Sequence, residues 1–172
     1  YIGCELEKFN KYKLEINNKI PLLLWNHRWE FDKNPELFFN TLIKLKNKGF
    51  EFELAILGEQ FKNYPEIFNT AKSELSNNIV HFGYCQTFEE YAKWLWKADL
   101  LPVTSKQDFF GISIIEAVYC NTYPILPIRL TYPELFDYQN NKEIFYKNDD
   151  ELLKKIIKFL ENKNQYNSNS LS

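Results

Sequence analysis

Short, unbroken apolar runs alternate with segments of helical periodicity along almost the whole chain, and this alternation narrows the possible folds sharply. The first run, residues 20–25 (Ile-Pro-Leu-Leu-Leu-Trp), is apolar at every position, as a strand buried on both faces requires. Asn34-Pro35-Glu36 then marks a helix start: a capping side chain, a preset φ, and an acid at the positive end of the dipole. Leu37, Phe38, Leu42 and Leu45 follow at helical spacing until Gly49. The same two signals recur. Residues 52–57, 79–82, 100–103 and 123–126 predict strands, while 64–75, 87–97 and 111–120 predict helices. The second of these helices opens on a capping box, Thr87-Phe88-Glu89-Glu90. A helical turn over 132–136, an edge strand over 144–146 and an amphipathic helix carrying Leu152, Leu153, Ile156, Ile157 and Leu160 complete the pattern. Strands joined by helices of this length predict βαβ units, an α/β fold with a parallel sheet and helices on both faces.

The 172 residues suit one domain with a single core. Polar residues 1–18, with scattered Leu6, Phe9, Leu14 and Ile16, read as a linker or interdomain segment. Residues 19–163 carry the Rossmann-like domain, and the Asn/Ser-rich tail over 164–172 is expected to fray. A net charge of −2 argues against a broad electrostatic footprint for nucleic acid or an anionic membrane. Cys4, Cys85 and Cys120 form an odd set without CxxC spacing, which predicts packed thiols in a reducing, cytoplasmic setting. No apolar run is long enough to span a bilayer as a helix. The chain opens on Tyr1 and contains no Met, so further sequence, with room for a partner domain, is expected before it.

In such sheets ligands bind beyond the carboxyl ends of the strands, so the strand-to-helix loops carry the candidate chemistry. In the first, residues 25–35, Arg28 and Lys33 follow His27 closely and suit a diphosphate. The plainer reading pairs them on the surface with Glu30 and Asp32. The second and third loops, Leu57-Gly58-Glu59 and Phe82-Gly83-Tyr84, are glycine turns that admit a ligand or simply turn the chain. His81, inside a predicted strand, reads as structural. The fourth loop sets Asp108 before Phe110-Gly111-Ile112 and Glu116 one helix further on. Amides around Gly111 are expected to face the ligand with a helix dipole behind them. Glu116 lies among Ile112, Ile114, Ile115, Ala117 and Val118, so it needs a hydrogen-bond partner if buried; ribose hydroxyls would serve. Otherwise it faces solvent or a lysine. GxGxxG, Walker A, HExxH, GxSxG and Cys/His clusters are absent, which disfavours dinucleotide, metal and covalent serine chemistry.

Arg28 with Lys33 five positions on, then Asp108-x7-Glu116 enclosing Phe110-Gly111, resembles the signature of glycosyltransferase family 4. The segments 25–36, 57–61, 109–111 and Arg129-Leu130-x-Tyr132-Pro133-Glu134 are similar to one branch of it, the tRNA-queuosine α-mannosyltransferases. The resemblance implies the carboxyl-terminal, nucleotide-sugar-binding half of a GT-B fold, with an acceptor domain preceding it. It implies Arg28 and Lys33 on the diphosphate, Glu116 on the ribose, and Asp108 with the amides near Gly111 on the sugar. His27, Gly58, Glu59, Gly83, Tyr84, Phe110, Gly111 and Ile112 complete the implied donor-binding set. The implied reaction retains anomeric configuration, needs no essential metal and no cofactor, and moves mannose from GDP-mannose to queuosine in tRNA. This chain alone would bind the donor and turn over little. Two departures stand out: Asp108 where the family usually has Glu, and Asn121 where it usually has Gly. The first puts the sugar contact in doubt, whereas Asn tolerates the left-handed backbone a glycine turn uses. A non-catalytic nucleotide- or partner-binding Rossmann domain is the alternative. A flavodoxin-like module would leave both charge pairs without a purpose.

Overall fold

The computed structural model describes residues 5–58, 63–108 and 110–163. Strands β1 (Leu22–Trp25), β2 (Glu53–Leu57), β3 (Ile79–Gly83), β4 (Leu100–Pro102), β5 (Tyr123–Pro127) and β6 (Phe145–Tyr146) alternate with helices. The helices are α1 (Pro35–Asn47), α2 (Ile67–Glu74), α3 (Phe88–Lys97), α4 (Ile112–Tyr119), α5 (Tyr132–Leu135) and α6 (Asp149–Glu161). All strand pairs are parallel, in the order β3-β2-β1-β4-β5-β6. This is the expected Rossmann-like sheet, and the chain changes direction across it between β1 and β4. Every residue of β1, β4 and β5 is buried, which is why their sequences are apolar without alternation.

Local signals set the element starts. The Asn34 side chain accepts the Leu37 amide at the head of α1, and Thr87 accepts the Glu90 amide at the head of α3. Glu90 reaches back to the Gln86 amide at 3.1 Å, one residue before the reciprocal bond of a capping box. α2 begins at Ile67, later than periodicity predicts, because Pro65 disfavours helical geometry in Tyr64. Asn121 has φ +69°, so Asn does supply the left-handed turn after α4. Residues Leu6–Tyr12 form a 3-10 helix that seats Phe9 against Phe88, Tyr91 and Tyr119, and the Trp96 indole donates to the Phe9 carbonyl at 2.9 Å. No helix among the described residues is long and apolar enough to cross a membrane.

An aromatic cluster fixes the loop after β1. Trp25 and Trp29 are fully buried, and Trp29 stacks on Phe68 with ring centroids 4.2 Å apart. Their indoles donate to backbone carbonyls, Trp25 to His27 and Trp29 to Leu57, each at 3.0 Å. Gly58, with φ +116°, passes directly beneath this loop: a Cβ there would lie 2.4 Å from the His27 carbonyl oxygen. The close approach that makes glycine necessary is therefore to the chain itself. Gly83 also has positive φ, +124°, but a Cβ there meets nothing within 4 Å. Gly58→Ala is accordingly expected to destabilise by about 3 kcal/mol or more, against about 1–2 kcal/mol for Gly83→Ala. Urea unfolding of both variants measures the difference; equal losses would show that the His27 carbonyl does not constrain position 58.

Candidate functional site

Asn26 and His27 extend β1 into the crevice where the sheet order reverses, and both are buried. The Asn26 amide donates to the Ser113 carbonyl at 2.9 Å, and His27 Nδ1 lies 3.0 Å from Ser113 Oγ. Ser113 stands in the first turn of α4, so the ends of β1 and of the β4–α4 loop are tied together. Burial first, then the Lys33 charge, pushes the His27 imidazole down to about 4, with Asp108 opposing. The ring is therefore neutral at ordinary pH. Asn26 Oδ1 and His27 Nε2 are buried without a hydrogen-bond partner among the described residues. Such atoms are costly unless water or a ligand completes them.

Lys33 ends a 3-10 turn, Phe31–Lys33, and its ammonium donates to the Gln107 carbonyl at 3.0 Å, beside Asp108. Asp108 uses both carboxylate oxygens: Oδ1 accepts the Gly111 amide at 3.0 Å and Oδ2 the Tyr132 hydroxyl at 2.7 Å. Burial and then Asp108 hold the Tyr132 phenol far above its ordinary range. Gly111 adopts left-handed geometry, φ +61°, as the residue before α4, and its amide points at Asp108. Across the crevice, the Tyr91 hydroxyl donates to Glu116 Oε1 at 2.8 Å. Burial raises the Glu116 pKa, and the Tyr91 bond opposes the rise. The partner is thus a tyrosine from α3 rather than solvent or a lysine.

Arg28 differs from the other three charged residues. Its side chain is 72% exposed and its guanidinium lies 3.8 Å from Glu30, the surface pairing the sequence also allowed. Such a pair is worth at most about 1 kcal/mol. The charges of Lys33 and Asp108 act on His27, and Glu116 is linked to Asn26 through Tyr91, whereas Arg28 sits on the solvent side.

A cleft of about 350 Å³ opens beside this network, lined by Asn26, Gly58, Tyr84, Cys85, Gln86 and Tyr91 among others. Its size falls within the range of small-molecule sites. Tyr84 at its lip, Phe110 and Ile112 are exposed, Gly83 is buried, and Glu59 lies outside the described residues. Asn26, Tyr91, Ser113 and Tyr132 were not among the site residues expected from the sequence. Their types are ordinary, and only the pairing of distant elements gives them partners.

The profile of the family described as "Glycosyl transferases group 1" matches residues 7–170. The chain belongs to that family. It is 37% identical over 145 residues to the tRNA-queuosine alpha-mannosyltransferase of Drosophila melanogaster, a match covering 84% of this chain and 37% of that protein. The chain therefore spans little more than a third of that relative's length. Among solved structures it resembles the sucrose-phosphate synthase of Thermosynechococcus elongatus, with TM-score 0.68 and 17% identity over 86% of this chain and 38% of that one. It also resembles WaaG, a glycosyltransferase involved in lipopolysaccharide biosynthesis, with TM-score 0.64 and 18% identity over 92% of this chain and 42% of that one. These neighbours are GT-B glycosyltransferases, so the fold expected from the sequence holds.

The buried imidazole makes stability depend on pH. Unfolded, His27 takes a proton near pH 6.5; folded, it stays neutral down to about 4. Between those values the unfolded chain binds the extra proton, so stability falls as pH drops, by roughly 3 kcal/mol in all. The raised Glu116 pKa works in the opposite direction, so the comparison must be with a variant changed only at 27. Denaturant unfolding from pH 7 to 4 should show wild type losing its advantage over His27→Gln; a pH-independent gap would refute the assignment.

Proposed function

We propose that this chain is the donor-binding domain of a retaining glycosyltransferase, with GDP-mannose as donor and queuosine in tRNA as acceptor. The observation that carries this reading is the polar floor at the β1/β4 crossover. There neutral His27, on which the Lys33 charge acts, and Glu116 are linked through Ser113, Asn26 and Tyr91, beside two buried polar atoms without a partner among the described residues. Family membership and the name of the Drosophila melanogaster relative support this reading of the reaction and the acceptor.

In this reading Lys33 faces the diphosphate, and Arg28 leaves its weak pairing with Glu30 to join it. Their charge opposes the negative charge that grows on the diphosphate as the bond from sugar to phosphate breaks. The acceptor hydroxyl forms the new bond to the anomeric carbon and passes its proton to the departing diphosphate. Glu116, steadied by Tyr91, accepts the ribose hydroxyls. Asp108 braces the Gly111 turn through bonds to Gly111 and Tyr132; each oxygen keeps a second lone pair for a sugar hydroxyl. No metal is called for in the transfer. The acceptor surface belongs to the remaining length of the protein, since the relative is much longer than this match. A tRNA acceptor and the free, buried thiols Cys85 and Cys120 favour a cytoplasmic setting.

Nucleotide binding without transfer is a second reading, favoured by the engaged Asp108 and the outward Arg28. Calorimetric titration with GDP, UDP and ADP tests the site itself: GDP should bind, and Lys33→Ala and Glu116→Gln should each weaken it about tenfold or more. Binding of none of the three would overturn the proposal. Transfer by the full-length protein that survived Asp108→Asn with Glu116→Gln would show that the donor site lies elsewhere.

A further inference from the structure

At the far side of the cleft, β3, the loop after it and the first turn of α3 bring three metal-ligating side chains together. An imidazole nitrogen of His81, the Cys85 thiol and a Glu90 carboxylate oxygen all lie within 4.8 Å of one another. His81 Nδ1 is 3.8 Å from Glu90 Oε1, and Cys85 Sγ is 3.9 Å from His81 Nε2. We propose that His81, Cys85 and Glu90 bind a zinc-class divalent cation that fastens the β3–α3 loop along the cleft. This site lies in a wall of the same cleft, and its three side chains take no part in the transfer.

The spacing fits. Zinc bonds of about 2.0–2.3 Å set tetrahedral ligand atoms roughly 3.3–3.7 Å apart; the cluster, within 4.8 Å, must contract, and the Cys85 thiol, now 3.9 Å from Nε2, must turn toward Nδ1 as the ion binds. The surroundings fit as well. His81 Nε2 donates to the Gly83 carbonyl at 2.9 Å, which leaves the lone pair on Nδ1, the nitrogen nearer Glu90. A ligating histidine held this way, by a backbone acceptor on its other nitrogen, is the usual arrangement around zinc. Glu90 is likewise held through Oε2 by the Gln86 amide, so Oε1 stays available. Cys85 is buried, as a structural thiolate ligand commonly is.

Among the contacts described, these groups serve one another poorly without an ion. A separation of 3.8 Å is too long for a hydrogen bond between Glu90 and the imidazole. A dication takes the thiol as thiolate, so its binding releases the thiol proton. One sulfur, one nitrogen and one oxygen select zinc or cobalt over magnesium and calcium, which take oxygen ligands. Three protein ligands leave a fourth position for water. Because Cys85 and Gln86 line the cleft, an ion here would stiffen one of its walls.

Cobalt titration of the chelator-treated chain, followed by absorption, tests the site. One equivalent of Co²⁺ should produce a thiolate-to-cobalt charge-transfer band, displaced by Zn²⁺ and unaffected by Mg²⁺. Cys85→Ser should abolish the band and Cys120→Ser should leave it, while His81→Ala and Glu90→Gln should weaken binding about tenfold or more. Absence of the band, or its survival in Cys85→Ser, would overturn the proposal. Should Cys85→Ser fail to fold, thermal melting decides: Zn²⁺ should raise the melting temperature of the wild-type chain more than that of Glu90→Gln, and equal shifts would overturn it.

Discussion

Parallel pairing of β1 with β4 is the arrangement on which the rest of this molecule depends. Each crossover in a parallel sheet returns through a helix, so every strand ends at the same rim. From β1 the chain builds outward to β2 and β3, then crosses back to lay β4 on the other side of β1. The loops leaving β1 and β4 consequently run in opposite directions and part, opening a crevice between them. Backbone bonds hold the two lips: Lys106 and Gln107 donate to the Asp32 carbonyl, and the Thr104 hydroxyl donates to the carbonyls of Lys33 and Asn34. Arg129 completes the brace with bonds to the Thr104 and Ser105 carbonyls.

Low polarity beneath the crevice decides the charge states of the groups facing it. His27 loses its proton affinity through burial, and Lys33 reinforces the effect, so the imidazole remains a neutral partner. Glu116 is pushed toward protonation by the same burial, yet the Tyr91 hydroxyl resists it by donating to the carboxylate. A chain of contacts runs from Glu116 through Tyr91, Asn26 and Ser113 to His27, joining α4, α3 and the loop after β1. Polar networks in such settings are rigid when complete. Among the described residues this one has no partner for Asn26 Oδ1 or His27 Nε2, and Asn26 lines the cleft.

Much of the architecture was legible in the linear chain because its causes are local. Apolar runs without alternation, the Asn34 and Thr87 caps, and the glycines closing strands each act within one turn or one strand. The left-handed Asn121 belongs to the same class, since its tolerance of φ +69° is a property of the residue itself. The late start of α2 escaped periodicity because Pro65 restricts the residue before it, a local effect that hydrophobic spacing does not register. Gly58 was recognisable only as a turn glycine: the backbone that makes it necessary, at His27, belongs to the neighbouring strand's loop.

The sequence by itself determined the element order, the parallel α/β class and the family, because periodicity, capping and motif spacing are written within short stretches. Only the tertiary structure decided which partner each charged group meets. It set Glu116 against Tyr91, closed Asp108 onto Gly111 and Tyr132, and left Arg28 outward with Glu30. It also assembled His81, Cys85 and Glu90 from a strand, a loop and a helix. The physical reason is one of range. A helix start is settled by neighbours a few residues away, whereas a buried carboxylate takes whatever donor the sheet order and packing bring within about 3 Å.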